Sequence, residues 1–117
     1  HQDEKYVAAL PANEEFMAEA ISCGNYDAIY AEISRSAKLK TVFVRRAIIS
    51  KHPKIITALC WKAKFSAPLA FLVQRRVVGL SQDVCIEPGA KNTYALNPKE
   101  MNWHLEVFGA NRPCNNI

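Results

Sequence analysis

Glycine is scarce in this chain, with four residues in 117, and that alone disfavours an all-β domain, whose many tight turns need residues that accept positive φ. Long apolar runs are also missing. The longest, Ala67 to Val73, is interrupted by Pro68 and followed by Gln74, Arg75 and Arg76, well short of the roughly 18 residues a spanning helix requires. No membrane insertion is expected. The first stretch carries Asp3, Glu4, Glu14 and Glu15 and lacks a basic start, so no secretory leader is expected there. Closely spaced cysteines are absent: Cys23, Cys60, Cys85 and Cys114 stand 37, 25 and 29 residues apart, unlike zinc knuckles or redox pairs. The even number permits two disulfides. Cys23 and Cys60, however, lie in apolar helical patterns where a thiol acts as a small buried hydrophobe, so reduced thiols in a cytoplasmic protein are expected.

Catalytic signatures are lacking too. There is no glycine-rich phosphate loop, nucleophile elbow, His-Glu pair on a helix or tight carboxylate pair. His52 and His104 have no second ligand at metal spacing and read as surface or partly buried imidazoles. The expectation is a non-catalytic chain without a cofactor. Trp61 and Trp103 read as core or interface anchors, although Trp61, flanked by Lys62 and Lys64, could also stack a base.

What is present points to helices. Half the residues are apolar and 22% are charged, enough to fold one core. The spacing predicts a first helix over 3–10 and a second capped by Asn13, with Phe16, Met17, Ala20 and Ile21 inward and Glu14 and Glu15 in its first turn. Asn25 caps a third, in which Tyr26, Ile29, Tyr30 and Ile33 recur at helical steps. A fourth spans about 40–49, with Val44, Ala47 and Ile48 inward. A fifth starts at Pro53 and a sixth is capped by Ser66 and ended by Gly79. Residues 80–96 read as irregular loop. A last helix opens at Asn97-Pro98, with Glu100 placed as in a capping box. The predicted fold is all-α: six to seven short helices packed as stacked hairpins in one domain over 1–117.

A shift of 26 residues aligns Ile33 with Leu59, Ala37 with Ala63, Lys38 with Lys64, Leu39 with Phe65 and Phe43 with Leu69. Each copy would be a helix, a turn reading Ala-Lys-apolar and a second helix. Such a unit cannot bury its own apolar face and so must stack on a neighbour. Two amphipathic hairpins can also align this way by coincidence.

Charge is segregated along the chain. Residues 1–32 hold seven acids against Lys5, whereas residues 33–82 hold eleven bases and no acid; the remainder has four acids and three bases. Either the acidic helices pack beside the basic ones and the surface is ordinary, or the carboxylate-free stretch presents a positive face to nucleic acid, phosphate headgroups or an acidic protein. The same asymmetry would favour head-to-tail self-association. The candidate binding residues are Arg35, Lys38, Lys40, Arg45, Arg46, Lys62 and Lys64.

Residues 33–48 also fit a helix-turn-helix. Leu39 would plug the turn, Val44 and Ile48 would seat the second helix, and Lys40, Thr41, Arg45 and Arg46 would meet DNA. Lys38 falls where such turns usually place glycine in a left-handed conformation.

The stretch from Gly24-Asn25-Tyr26 through Ala37-Lys38-Leu39 and Val44-Arg45-Arg46 to Ala58-Leu59-Cys60-Trp61-Lys62-Ala63-Lys64-Phe65 and Leu69 to Phe71 resembles the DUF2336 family. These are uncharacterised helical proteins found mostly in alphaproteobacteria. The resemblance covers about residues 24–78 and implies a paired-helix fold in a bacterial cytoplasm, but no activity or site residues. Members are typically longer, which implies a fragment or terminal domain. Lys38 and Lys64 depart from the small residues usual at those positions. The expected function is an interaction module that holds an acidic protein partner on a basic face; the alternative is a DNA-binding regulator using the 33–48 hairpin.

Overall fold

The computed structural model describes residues 2–109. Among them the chain forms seven α-helices and no strand. In order they are α1 (Gln2–Ala8), α2 (Glu15–Cys23), α3 (Tyr26–Ala37), α4 (Thr41–Ser50), α5 (Pro53–Lys62), α6 (Ala67–Leu72) and α7 (Pro98–Phe108). A 3-10 turn, Ala12–Glu14, leads into α2, and α6 runs on as a π-helical stretch, Val73–Val78.

Local chemistry sets most boundaries. Gly24 takes φ 71° after α2, and the Asn25 side chain then accepts from the Ala28 N–H at 3.3 Å to start α3. His52 is extended, as a residue before proline must be, and Pro53 opens α5. Ser66 accepts from the Leu69 N–H at 3.3 Å, and Asn97 from the Glu100 N–H at 2.7 Å. The capping box at α7 is one-sided: the Glu100 carboxylate faces Lys54 at 3.7 Å and His104 at 3.6 Å, the latter a His-Glu pair one turn apart on a helix, against the expectation of none.

Helix α5 is the hub. It packs against α3, α4, α6 and α7, and every residue from Ile55 to Cys60 is buried. A helix covered on all sides needs no polar face, and from Ile55 to Cys60 only Thr57 is polar, its buried hydroxyl lacking a hydrogen-bond partner among the described residues. Ile29 and Ile33 of α3, Val44 and Ala47 of α4, Leu69 of α6 and Met101 and Leu105 of α7 complete the main core. A smaller cluster joins α1 to α6, with the Tyr6 and Phe71 rings 4.6 Å apart.

Several expectations are corrected. Asn13 does not cap α2; it lies inside the 3-10 turn, and Glu14 stands at the helix start without a side-chain capping bond. Phe16 is 58% exposed, because α2 packs mainly against α3, the turn before it and the π-helical stretch, and no described element covers this part of its apolar stripe. Cys23 is exposed on the same helix, and Tyr26 is exposed at the start of α3. Trp103 is exposed, which removes the core half of the core-or-interface reading and leaves the interface half standing.

Residues 80–96 are irregular apart from a 3-10 turn at Ala90–Asn92, and they are tied down by side chains. Buried Gln74 donates to the Ile86 carbonyl at 3.0 Å and accepts from the Ile86 N–H at 2.8 Å. Arg75 donates to the Leu80 carbonyl at 2.9 Å, and the Tyr6 hydroxyl donates to Glu87 at 3.0 Å.

Candidate basic groove between two hairpins

The turns after α3 and α5 are built alike. At the first, buried Ala37 is followed by Lys38 at φ 60° and half-buried Leu39, whose N–H donates to the Ser34 carbonyl at 3.1 Å. At the second, buried Ala63 is followed by Lys64 at φ 65° and buried Phe65, whose N–H donates to the Cys60 carbonyl at 3.0 Å. Both are the bond, from the residue after the left-handed one back into the helix's last turn, that closes a left-handed helix end. The two post-turn carbonyls are also satisfied alike, Leu39 by the Ser34 hydroxyl and Phe65 by the Tyr94 hydroxyl at 2.7 Å. The 26-residue register therefore corresponds to one backbone motif used twice. In each copy the lysine stands between two residues turned inward, so its own side chain is exposed.

The same register pairs Ser36 with Lys62 and Arg35 with Trp61. A surface groove of about 580 Å³ runs along that seam, lined by Ser36, Ala37, Lys38 and Leu39 on one side and Trp61, Lys62 and Lys64 on the other. Trp61 is half-buried there, an aromatic wall beside three exposed ammonium groups.

Most other cations of the middle segment face a carboxylate or a ring. Arg35 donates to both oxygens of Glu32, at 2.7 and 2.6 Å. Arg45 lies 3.7 Å from Asp27 and 5.1 Å from the centre of the Tyr30 ring; Arg46 lies 5.3 Å from that of Phe108. Lys54 pairs with Glu100, and Arg75 and Arg76 both reach Asp3, at 3.3 and 3.5 Å. Lys40 is exposed at the start of α4, outside the groove lining. Among the described residues, no ion pair engages Lys38, Lys62 or Lys64. Of the seven candidate residues, these three meet in one place and Arg35, Arg45 and Arg46 do not join them.

The 33–48 hairpin has the local shape expected of a helix-turn-helix: Lys38 is left-handed, Val44 and Ile48 are buried and Leu39 is half-buried. Its two arginines diverge, however, Arg45 toward α3 and Arg46 toward α7. The imidazoles of His52 and His104 lie 6.2 Å apart, and among the described residues no three His, Cys, Asp or Glu side chains gather as metal ligands would.

Behind the groove lies a polar contact that the sequence did not disclose. Buried Glu14 accepts from the Ser66 N–H and hydroxyl, both at 2.6 Å, placing its carboxylate at the start of α6 rather than of its own helix. Burial, with help from this carboxylate, pushes the Cys60 thiol well above its ordinary range. The Tyr94 hydroxyl is raised for the same first reason, burial, and then by Cys60 and Glu14. Cys23, Cys60 and Cys85 are free thiols, and Cys114 lies outside the described residues. No described helix is long and apolar enough to cross a membrane. No protein-family model, curated protein or solved structure matches the chain.

Proposed function

We propose that this chain is a non-catalytic, helical-repeat interaction module whose seam groove holds an acidic segment of a protein partner. The observation that carries the reading is the convergence of Lys38, Lys62 and Lys64 around Trp61, while neighbouring arginines are engaged elsewhere. Ammonium groups that no ion pair engages among the described residues supply the electrostatic match, and the indole supplies desolvated contact area. Two of the three lysines stand in left-handed turns between inward-facing neighbours, which sets their side chains outward at the seam. The doubled turn motif over 24–78 is the reason to keep the DUF2336 resemblance within this proposal. The free thiols, including exposed Cys23, support placement in the reducing cytoplasm.

The alternative, a DNA-binding regulator, draws its support from left-handed Lys38 in the 33–48 hairpin. It needs Arg45 and Arg46 to present together, and their divergence weighs against it.

Both readings can be tested in one titration. In a Trp103→Phe background, Trp61 fluorescence is followed while polyglutamate or nonspecific duplex DNA is added at two salt concentrations. Polyglutamate should bind at low salt, and Lys38→Glu/Lys62→Glu/Lys64→Glu should weaken it roughly ten- to hundred-fold, three exposed ion pairs at up to about 1 kcal/mol each. Arg45→Ala/Arg46→Ala should leave it unchanged. DNA binding with a steep salt slope, lost on changing Lys40, Arg45 and Arg46 to Ala, would establish the regulator instead. Binding of neither probe would remove both readings.

A further inference from the structure

We infer that the occupant of the seam groove is a second copy of this chain, presenting the acidic face of α2. The inference rests on the groove reading above and adds the identity of the partner. Internal pairing consumes part of the N-terminal acid: Asp3 faces Arg75 and Arg76, Glu14 is buried against Ser66, and Glu32 is held by Arg35. Glu15 and Glu19, one turn apart on α2, are exposed, and no ion pair among the described residues engages them. Beside them Phe16 is 58% exposed, at the rim of a hollow of about 280 Å³ between α2 and the start of α3.

The two surpluses match in kind. One surface of the chain offers two carboxylates and an exposed phenyl ring; another offers three ammonium groups and a half-buried indole. Each lacks within its own fold what the other carries, so two copies satisfy both at once. Opposite charge orients the approach, and Phe16 against Trp61 supplies the apolar contact that exposed ion pairs alone would not. Copies that exchange both contacts close into a two-fold dimer, whereas copies that make one contact each grow head to tail.

Sedimentation velocity of the full chain, in reductant so that exposed Cys23 cannot cross-link copies, tests this. Mass should rise with protein concentration at low salt and return to monomer at high salt. Glu15→Lys/Glu19→Lys and Lys38→Glu/Lys62→Glu/Lys64→Glu should each be monomeric alone, and mixing the two should restore association. Phe16→Ala, which leaves every charge in place, should weaken association about tenfold. Circular dichroism of each variant confirms folding. A wild type that stays monomeric at every concentration, variants that associate as the wild type does, or a mixture that remains monomeric would each overturn the inference. Polyglutamate separates the two levels: if it binds monomeric wild type and not the lysine variant, the groove stands and only the second copy is excluded, whereas failure to bind wild type removes the groove as well.

Discussion

Lys38 and Lys64, 26 residues apart, hold the same left-handed backbone and line one groove. A left-handed L-residue costs roughly 1–2 kcal/mol, and a cation at a helix C-terminus returns about 0.3–1 kcal/mol, so each lysine leaves the turn less stable than glycine would. Lys38→Gly and Lys64→Gly should each raise stability by about 0.5–1 kcal/mol in urea titrations while weakening polyglutamate binding several-fold. Stability and binding moving in opposite directions is the signature. A loss of stability on either change would mean that the turn geometry is wrong.

The Glu14–Ser66 contact joins the turn before α2 to the first residue ahead of α6, 52 positions on. Glu14→Gln removes the charge that two short hydrogen bonds depend on, and Ser66→Ala removes a cap. Each should cost about 1–3 kcal/mol. Because the partners are in direct contact, the double variant should cost clearly less than the two single changes together, as a double-mutant cycle in urea would show.

Thiol chemistry should rank by burial. In a Cys114→Ser background, Cys23 should react with a disulfide reagent first, half-buried Cys85, whose thiol burial also raises, more slowly, and Cys60 only on unfolding. The pH dependence follows in sign. The Cys60 proton is held more tightly in the folded chain, so the unfolded chain gives up its proton first as pH passes the ordinary thiol value of 9.0, and stability falls from there upward. Tyr94, raised by burial, adds a second loss above 10.0. Urea midpoints taken from about pH 8 to about pH 11 should decline, and Cys60→Ala should decline less steeply.

Buried Gln74 gives the 80–96 segment its main anchor, with two hydrogen bonds to the backbone of Ile86. Gln74→Leu would leave that N–H and carbonyl without their partner, at a cost of about 1–3 kcal/mol. The Ile86 amide should then lose most of its protection in hydrogen exchange, while amides in α5 change only with global stability.

Much of the fold was legible in the sequence because its boundaries are set locally. Asn25, Pro53, Ser66, Gly79 and Asn97 each act within a turn of the helix end they mark. What failed depended on contacts distant in sequence. Phe16 follows a helical apolar spacing and still faces outward, because no described neighbour covers that side of α2. Glu14 looked like a first-turn acid of its own helix, yet it serves α6. In the groove, the 26-residue register gave Lys38 and Lys64 as equivalents, and both line it. Charge counting named Arg35, Arg45 and Arg46 as well, and could not see that Glu32, Tyr30 and Phe108 already engage them.

The groove lies where one hairpin meets the next, so whatever fills it acts as a staple across a joint. Occupancy and the angle between the hairpins become a single linked equilibrium: a ligand touching both walls resists their parting, and a change that loosens the joint weakens the ligand. Melting temperature should therefore climb with ligand concentration, and the same binding event should quiet the exchange of amides on both sides of the seam together.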